Sequence, residues 1–245
     1  MPWGKELSRV FKMMSLDSDQ ELTVVVQARL SSTRLPEKVL LPFGQSTVLE
    51  CLVNRVRRAK SVSRIIVATS NESSDDKLAD FIIAKDIAEL YRGSLQNVFS
   101  RYQEIAMSIE SKYFLRITAD CPLVCPDLID AMLIKTKNQD IDFCSNSHEG
   151  GIIKGFDLEL FSRELILSLK PEQLSLYDLE HVTPVMYKAK KASIHLVDYE
   201  LQPYFKNLNL SLDTKCDYQF LQKLEQDYQV SRMSYEEIKT RVLTK

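Results

Sequence analysis

The chain has 245 residues, of which 44% are hydrophobic and 27% charged, as in an ordinary folded domain. Its net charge of -2 argues against a nucleic-acid-binding surface, and no run approaches the roughly 20 apolar residues that a membrane span requires. Five cysteines without zinc-site spacing, and no recognisable secretion signal, predict a cytoplasmic protein with reduced thiols.

The first predicted elements alternate between strand and helix. Residues 1–21 are expected to be an N-terminal extension, and the folded domain is expected to occupy residues 22–245. A continuous apolar run at Leu22–Gln27 predicts a strand buried on both faces of a parallel sheet. Apolar residues at helical spacing over Val48–Val56 predict a helix, and Ile65–Ala68 is a second buried strand.

The same alternation continues toward the middle of the chain. Asp75 and Asp76 stand at the start of the next predicted helix, where the helix dipole favours negative charge. The order is typical of an α/β domain with a mostly parallel twisted sheet flanked by helices, which binds ligands beyond the carboxyl ends of its strands. The predicted helices are Ser74–Lys85, Asn97–Ser108 and one opened by Pro126, and the predicted strands lie around Leu90 and at Tyr113–Thr118 and Ile141–Ser145.

The chain after residue 145 is less regular. A glycine-rich loop, S-H-E-G-G-I-I-K-G, follows the last strand of the first half. Residues from about 150 to 206 are interpreted as an insertion that builds substrate and dimer contacts. The remaining predicted elements are a helical stretch at 175–189 interrupted at Pro184, strands at Ala192–Val197 and Leu208–Leu212, and two final helices.

A basic segment, Q-A-R-L-S-S-T-R-L-P-E-K at residues 27–38, follows the first strand directly. Guanidinium, ammonium and backbone N–H groups that converge from one loop suit a polyphosphate, and the segment matches neither a P-loop nor a dinucleotide motif. A solvated loop that happens to carry three basic residues is the alternative. The position at the carboxyl end of a central strand favours phosphate binding.

This segment resembles the N-terminal signature of the cytidylyltransferases that make CMP-sugars. It is closest to the spore coat polysaccharide biosynthesis protein F group and similar to the CMP-3-deoxy-manno-octulosonate synthetases. The resemblance covers about residues 22–225 and implies a nucleotide-diphospho-sugar transferase-like fold of GT-A type and a homodimer. Its further blocks are V-A-T-S at 67–70, R-G-S at 92–94, N-V-F-S-R-Y at 97–102, R-I-T-A-D-C-P-L at 116–123, G-F-D-L-E at 155–159, E-H-V-T-P at 180–184 and N-L-N-L-S-L-D-T at 207–214.

The resemblance also implies roles for single residues. Thr69 would contact the nucleotide, and Arg116 would either contact the nucleotide or pair with a carboxylate. The residues that would hold the CTP phosphates are Arg29, Ser32, Arg34 and Lys38.

Two positions depart from the resembling family, which often has glycine where Ser31 and Glu37 stand. Glu37 places a negative charge beside the proposed polyphosphate site, and its side chain restricts a backbone that glycine leaves free. The sequence therefore leaves open a non-catalytic relative that binds nucleotide without turnover.

Two aspartates follow predicted strands and resemble the metal-binding pair of the family. Asp120 comes two residues after the strand at Tyr113–Thr118, and Asp213 follows the segment Leu208–Leu212. Magnesium prefers hard oxygen ligands and usually takes one or two carboxylates together with substrate phosphates, so Mg2+ is the expected cofactor. For Asp213 the alternative is a helix N-cap in D-T-K-C-D.

Three further residues are candidates for substrate binding. Asp157 and Glu159 share one face of a predicted strand, and the resemblance places Asp157 near the sugar. A solvent-exposed strand face is the alternative for this pair. His181 is a candidate substrate contact, with a hydrogen-bonded structural histidine as its alternative.

No motif for a covalent nucleophile is present, which favours direct displacement. In the resembling enzymes the anomeric hydroxyl of a sugar attacks the α-phosphorus of CTP and pyrophosphate leaves. Arg29, Lys38 and Asp120 would be the catalytic residues, and the partners would be CTP and a sugar, with a sugar acid expected. The rival interpretation is a nucleotide-sugar-dependent glycosyltransferase, for which a basic triphosphate loop is less necessary.

Overall fold

The computed structural model describes residues 21–138, 141–147, 152–188 and 208–242. The strands in these ranges are β1 (Leu22–Gln27), β2 (Pro42–Phe43), β3 (Ser46–Thr47), β4 (Val62–Ser70), β5 (Glu89–Gly93), β6 (Tyr113–Thr118), β7 (Phe143–Ser145) and β8 (Glu159–Ser162). The helices are α1 (Val48–Val56), α2 (Asp76–Lys85), α3 (Val98–Ser108), α4 (Pro126–Asn138), α5 (Arg163–Ser168), α6 (Leu176–His181), α7 (Lys215–Tyr228) and α8 (Tyr235–Glu237, continued as a π-helix over Ile238–Val242).

Six of these strands form one sheet in the order β5-β4-β1-β6-β8-β7. The first four are parallel, and β8 pairs antiparallel with both β6 and β7. Gln27 at the end of β1 pairs with Ala68 of β4 and with Thr118 of β6. The three central strands therefore end together, and the segments that follow them meet at one edge, which we call the carboxyl edge.

Both faces of the sheet are covered, which explains why β1 carries valines on both of its faces. Val24 and Val26 pack into a core that includes residues of α1, α2, α4, α7 and α8. Val25 faces the opposite way, into a smaller core built with α3 and α5. The mostly parallel sheet flanked by helices is the predicted fold class, and it is confirmed.

The predicted elements differ in how well their bounds hold. β1 and β6 have the predicted bounds. β4 extends beyond the apolar run at Ile65–Ala68 in both directions. Its first residues are exposed or half buried and include polar side chains, so the apolar pattern did not indicate them. The predicted strand at Leu208–Leu212 is wrong, since it forms only an isolated bridge between Asn209 and Lys154. Its backbone N–H groups bond to loop carbonyls instead.

Several predictions fall on residues outside the described ranges. These include residues 1–20 and the strand predicted at Ala192–Val197. In the part of the region 150–206 that is described, β8 joins the main sheet and α5 packs against it. The dimer contact predicted for this region stays a prediction. Among the described residues, none of the helices has the length and apolarity to cross a membrane.

Candidate active site

The side chains predicted from separate segments come together at the carboxyl edge. The segment after β1 carries the basic residues, Asp120 follows β6, and Asp213 follows the irregular segment before α7. The backbone N–H of Leu212 donates to the backbone oxygen of Asp120 at 2.7 Å. This bond fixes the approach to Asp213 against the end of β6.

Lys38 lies between the two aspartates. Its ammonium donates to Asp120 Oδ2 at 2.7 Å, to Asp213 Oδ1 at 3.1 Å and to the backbone oxygen of Leu212 at 2.8 Å. The three side chains are partly exposed, at 13% for Lys38, 24% for Asp120 and 18% for Asp213. One ammonium is thus shared by two carboxylates at a surface that solutes can reach.

Asp213 has two further cationic neighbours. Arg34 approaches its Oδ1 at 3.2 Å, and Lys154 approaches its Oδ2 at 3.6 Å. Burial opposes ionisation of this carboxyl, but the hydrogen bond and charge of Lys38, together with Arg34 and Lys154, hold its pKa below the ordinary value. The carboxylate therefore stays ionised and available as a ligand.

The capping alternative for Asp213 is wrong. The N-cap of α7 is Thr214, whose hydroxyl accepts from the backbone N–H of Asp217. The Asp217 carboxylate accepts in return from the backbone N–H groups of Asp213 and Thr214. The neighbouring residues satisfy the helix terminus, which leaves the side chain of Asp213 directed at the three cations.

The basic segment after β1 folds around the backbone of Leu30. The Leu30 oxygen accepts from the N–H groups of Ser32 at 2.8 Å and Glu37 at 3.1 Å, and the Ser32 hydroxyl accepts from Leu35 N–H at 3.3 Å. The Leu30 N–H donates to Asp75 Oδ1 at 2.7 Å. The segment is a closed turn anchored at one peptide, which we call the β1 loop (residues 28–38).

Asp75 is a functional candidate that sequence reasoning missed. The sequence assigned it to the helix dipole, but α2 begins at Asp76 and the Asp75 side chain makes no capping hydrogen bond. It is fully buried and accepts from the Leu30 N–H and from the N–H and hydroxyl of Ser70. No sequence signal separates this use from N-capping, because both place an acid before a helix.

Glu37 adopts the left-handed conformation, with φ 56° and ψ 20°, where glycine is the easier residue. Its carboxylate lies 2.5 Å from the ammonium of Lys77 on α2. Both side chains are exposed, so the pair is solvated. The negative charge that the sequence placed beside the polyphosphate site is therefore paired with Lys77 rather than with the cations of the β1 loop.

Arg29 is the basic residue of the β1 loop with the freest side chain. It is exposed, and within the described ranges no hydrogen bond or ion pair engages its guanidinium. Burial first, and the nearby charge of Arg29 after it, lower the pKa of Arg101 on α3. The Arg101 guanidinium is buried and donates to the backbone oxygens of Ser94 and Leu95, so Arg29 is the one of these two arginines that is exposed to solution.

Two predicted nucleotide contacts are corrected. Thr69 is fully buried, and its hydroxyl has no partner among the described residues, so it offers no surface to a nucleotide in this conformation. Arg116 takes the alternative of pairing with a carboxylate: it forms a partly buried ion pair with Glu159 and donates to Gln27 Oε1 at 3.3 Å.

The candidate substrate residues are separated by the structure. Glu159 does not lie on an exposed strand face, since it is 8% exposed and its second oxygen accepts from the Thr183 hydroxyl at 2.7 Å. Asp157 precedes β8 and accepts from Gly155 N–H at 2.8 Å, and burial raises the pKa of its carboxyl. His181 is exposed at the end of α6, with its ring centroid 4.3 Å from that of Tyr177.

The donor set at Lys38 fits a divalent cation that is completed by substrate. Two carboxylates and one backbone carbonyl supply hard oxygen atoms, and a cationic ammonium already lies between them. The described residues hold no group of three or more His, Cys, Asp or Glu side chains that could bind a metal without further ligands. A magnesium ion here would therefore need phosphate or water ligands as well.

Comparisons with known proteins show which family the chain is similar to. A family model described as cytidylyltransferase matches residues 23–240. The chain is 31% identical over 215 residues to the spore coat polysaccharide biosynthesis protein SpsF of Bacillus subtilis, which covers 84% of this chain and 87% of SpsF.

Solved structures resemble the chain as well. The structure of a cytidylyltransferase from Leptospira borgpetersenii superimposes with a TM-score of 0.78 and 28% identity, over 91% of this chain and 95% of the other. CMP:2-keto-3-deoxy-manno-octonic acid synthetase, solved in complex with CTP, has a TM-score of 0.61 and 13% identity over 84% of this chain and 99% of the other. At that identity the likeness shows a shared fold.

Proposed function

The chain belongs to the cytidylyltransferase family and is a nucleotidyltransferase, and we propose that it transfers CMP from CTP to a sugar acid with release of pyrophosphate. The observation that carries the proposal is that Asp120 and Asp213 together hold the ammonium of Lys38, the last residue of the basic β1 loop. The name of SpsF and the CTP complex of the fold neighbour support a role in surface polysaccharide or glycan synthesis from CTP.

The β1 loop binds the triphosphate. Arg29 and Arg34 supply exposed guanidinium groups, and the backbone turn around Leu30 keeps Ser32 beside them. These cations stabilise the charge that builds on pyrophosphate as it leaves, without covalent participation of the protein. Arg29 and Lys38 are the residues of this loop to which we assign catalytic roles.

Asp120 and Asp213 would hold Mg2+. When bound there, the ion would neutralise phosphate charge and lower the pKa of the acceptor hydroxyl. Lys38, which binds both carboxylates in the structure, would then have its ammonium available for a phosphate oxygen. The hydroxyl of the acceptor attacks the α-phosphorus directly.

The acceptor side is assigned to the segment between β7 and β8, which carries Asp157, and to the end of α6, which carries His181. Asp157 and His181 remain the proposed contacts to the sugar. Glu159 acts indirectly, because its carboxylate is occupied by Arg116 and Thr183. We place the reaction in the cytoplasm, where CTP is made, and propose a homodimer.

A pyrophosphate-release screen tests this assignment, with the purified protein, Mg2+, each of the four ribonucleoside triphosphates and a panel of sugars and sugar acids. We expect release with CTP and a sugar acid, and loss of release in Asp120→Asn. The matched control is Asp227→Asn, an exposed carboxylate of α7 that pairs with Lys223. An unchanged rate in Asp120→Asn would remove this residue from the mechanism.

The reaction products distinguish CMP transfer from the two alternative functions. A glycosyltransferase would release a nucleoside diphosphate from a nucleotide-sugar instead of pyrophosphate from a triphosphate. A non-catalytic relative would bind CTP tightly and yield no product. The pairing of Glu37 with Lys77 gives the non-catalytic alternative less support than the sequence did.

A further inference from the structure

Lys154 is a cation of this site that comes from outside the β1 loop. Lys38 and Arg34 both approach Asp213 at Oδ1, whereas Lys154 approaches Oδ2 at 3.6 Å. The two oxygens of one carboxylate face different directions. Asp213 therefore lies between the phosphate-binding loop and a separate cation, next to the segment that leads into β8.

The backbone of Lys154 is held firmly. Gly155 has φ 104°, and a Cβ there would lie 2.6 Å from the carbonyl carbon of Leu210 and 2.8 Å from Ser211 N, so this close approach requires glycine. The Lys154 oxygen accepts from Leu210 N–H at 2.8 Å. Asp157 completes the turn by accepting from Gly155 N–H.

The side chain of Lys154, in contrast, is weakly engaged. It is 59% exposed, and 3.6 Å exceeds hydrogen-bond distance, so its pairing with Asp213 contributes little to stability. In the described ranges the ammonium has no hydrogen-bonded partner. A rigid backbone that presents a loosely paired ammonium at the edge of a site is suited to binding an anion of a ligand.

The chemistry of the acceptor sugar indicates which anionic group the Lys154 ammonium binds. In the ring form of a 2-keto sugar acid, the anomeric carbon carries both the hydroxyl that reacts and the carboxylate. When the hydroxyl lies beside Asp120 and Asp213 to attack the α-phosphorus, the carboxylate must lie within a few ångströms of it. We propose that Lys154 binds this carboxylate and so selects acceptors with an acid group on the anomeric carbon over neutral sugars.

The inference rests on the proposed function and is tested by the selectivity of Lys154→Gln. With CTP and 3-deoxy-manno-octulosonate, the KM for the sugar acid should rise about tenfold or more, as expected for loss of a charge-assisted contact, while the KM for CTP stays unchanged. Activity with mannose, a neutral sugar, should not fall. Lys154→Arg should restore the low KM, and Lys223→Gln, which alters an exposed lysine of α7, should match the wild type.

Three results would overturn the inference: an unchanged KM for the acid, an equal rise in the KM for CTP, or a wild type that uses only neutral acceptors. The last of these would leave CMP transfer standing. If the wild type releases no pyrophosphate with any acceptor, the proposed function fails. Binding of the acid by Lys154 is then tested separately, by calorimetric titration of the protein with 3-deoxy-manno-octulosonate. Weaker binding to Lys154→Gln than to the wild type supports the site, and equal or absent binding overturns it.

Discussion

Two ion-pair clusters at the carboxyl edge use the same kinds of groups in different ways. In the Lys38 cluster (Lys38, Asp120 and Asp213), one ammonium serves two partly exposed carboxylates, and further cations approach Asp213. In the Arg116 cluster (Arg116, Glu159 and Thr183), one guanidinium meets one carboxylate, whose second oxygen is taken by a hydroxyl.

The difference lies in whether the groups can change partners. Burial acts to lower the pKa of Arg116, but the charge of Glu159 raises it above the ordinary value, so the partly buried pair stays ionised. Removing one partner of such a pair is costly, because the other charge is left without compensation. The side chains of the two clusters are similarly exposed, at 13–24% in the Lys38 cluster and at 11–15% for Arg116 and Glu159. What differs is the pairing: the Lys38 cluster shares one ammonium between two carboxylates, with Arg34 and Lys154 also near Asp213, so a ligand can replace one contact while others remain. The number of partners, rather than residue type or exposure, separates a binding site from a structural pair here.

The largest effect is expected from breaking the Arg116 cluster. Arg116→Met leaves Glu159 buried without a cation and should lower the free energy of unfolding by about 3–5 kcal/mol. Urea unfolding followed by circular dichroism measures this loss. The double variant Arg116→Met/Glu159→Leu, which removes both charges, should recover much of it. A single variant as stable as the wild type would contradict a structural role for the pair.

Opening the Lys38 cluster should instead affect activity. Lys38→Met removes the ammonium that stabilises charge on the phosphates and should reduce kcat/KM by about 10²–10³-fold. The unfolding midpoint should move little, because Arg34 and Lys154 still neutralise Asp213 when the Lys38 ammonium is removed. Lys223→Met on α7 is the control. Full activity in Lys38→Met would show that the Lys38 cluster has a structural role and does not take part in catalysis.

Substitution of Asp75 should affect both stability and activity, because this residue is buried and also holds the β1 loop through the Leu30 N–H. Asp75→Asn replaces an acceptor of the Ser70 N–H with a donor and should cost about 1–3 kcal/mol of stability. It should also raise the KM for CTP about tenfold through displacement of the loop. Ser70→Ala, which keeps the Leu30 bond, should raise the KM less. A loss of stability with an unchanged KM would show that Asp75 does not position the loop.

The smallest effect concerns pH. The pKa of Asp213 is lower in the folded state, so its contribution to stability is present above the ordinary aspartate pKa of about 3.9 and is lost as the pH falls through the lower folded value. The difference in unfolding midpoint between wild type and Asp213→Asn should therefore shrink as the pH falls below 4. A difference that grew with acidification would mean that the cations do not stabilise this carboxylate.

Much of the fold was predictable because its patterns are local. The apolar runs of β1 and β6 gave their bounds, and Asn97 and Pro126 marked where α3 and α4 begin. The segment at Leu208–Leu212 failed because alternating buried leucines look alike in a strand and in a segment held by loop carbonyls.

The site was predictable in part. The order of the blocks in the sequence indicated that the β1 loop, Asp120 and Asp213 belong together, and the structure brings them to one ammonium. The same reasoning misplaced Thr69 and could not separate Arg116 and Glu159 from ligand contacts, because burial and partners do not follow from residue type.

By itself, the sequence determined the alternation of strands and helices, the family and the loop that carries the basic residues. The elements and the loop depend on neighbours a few positions apart along the chain, and the family follows from short blocks in a fixed order. Only the tertiary structure decided which charges meet: Leu30 with Asp75 across 45 positions, and Lys38 with Asp120 across 82 and with Asp213 across 175. A contact over such separations depends on how the sheet edge assembles, and no local pattern encodes it.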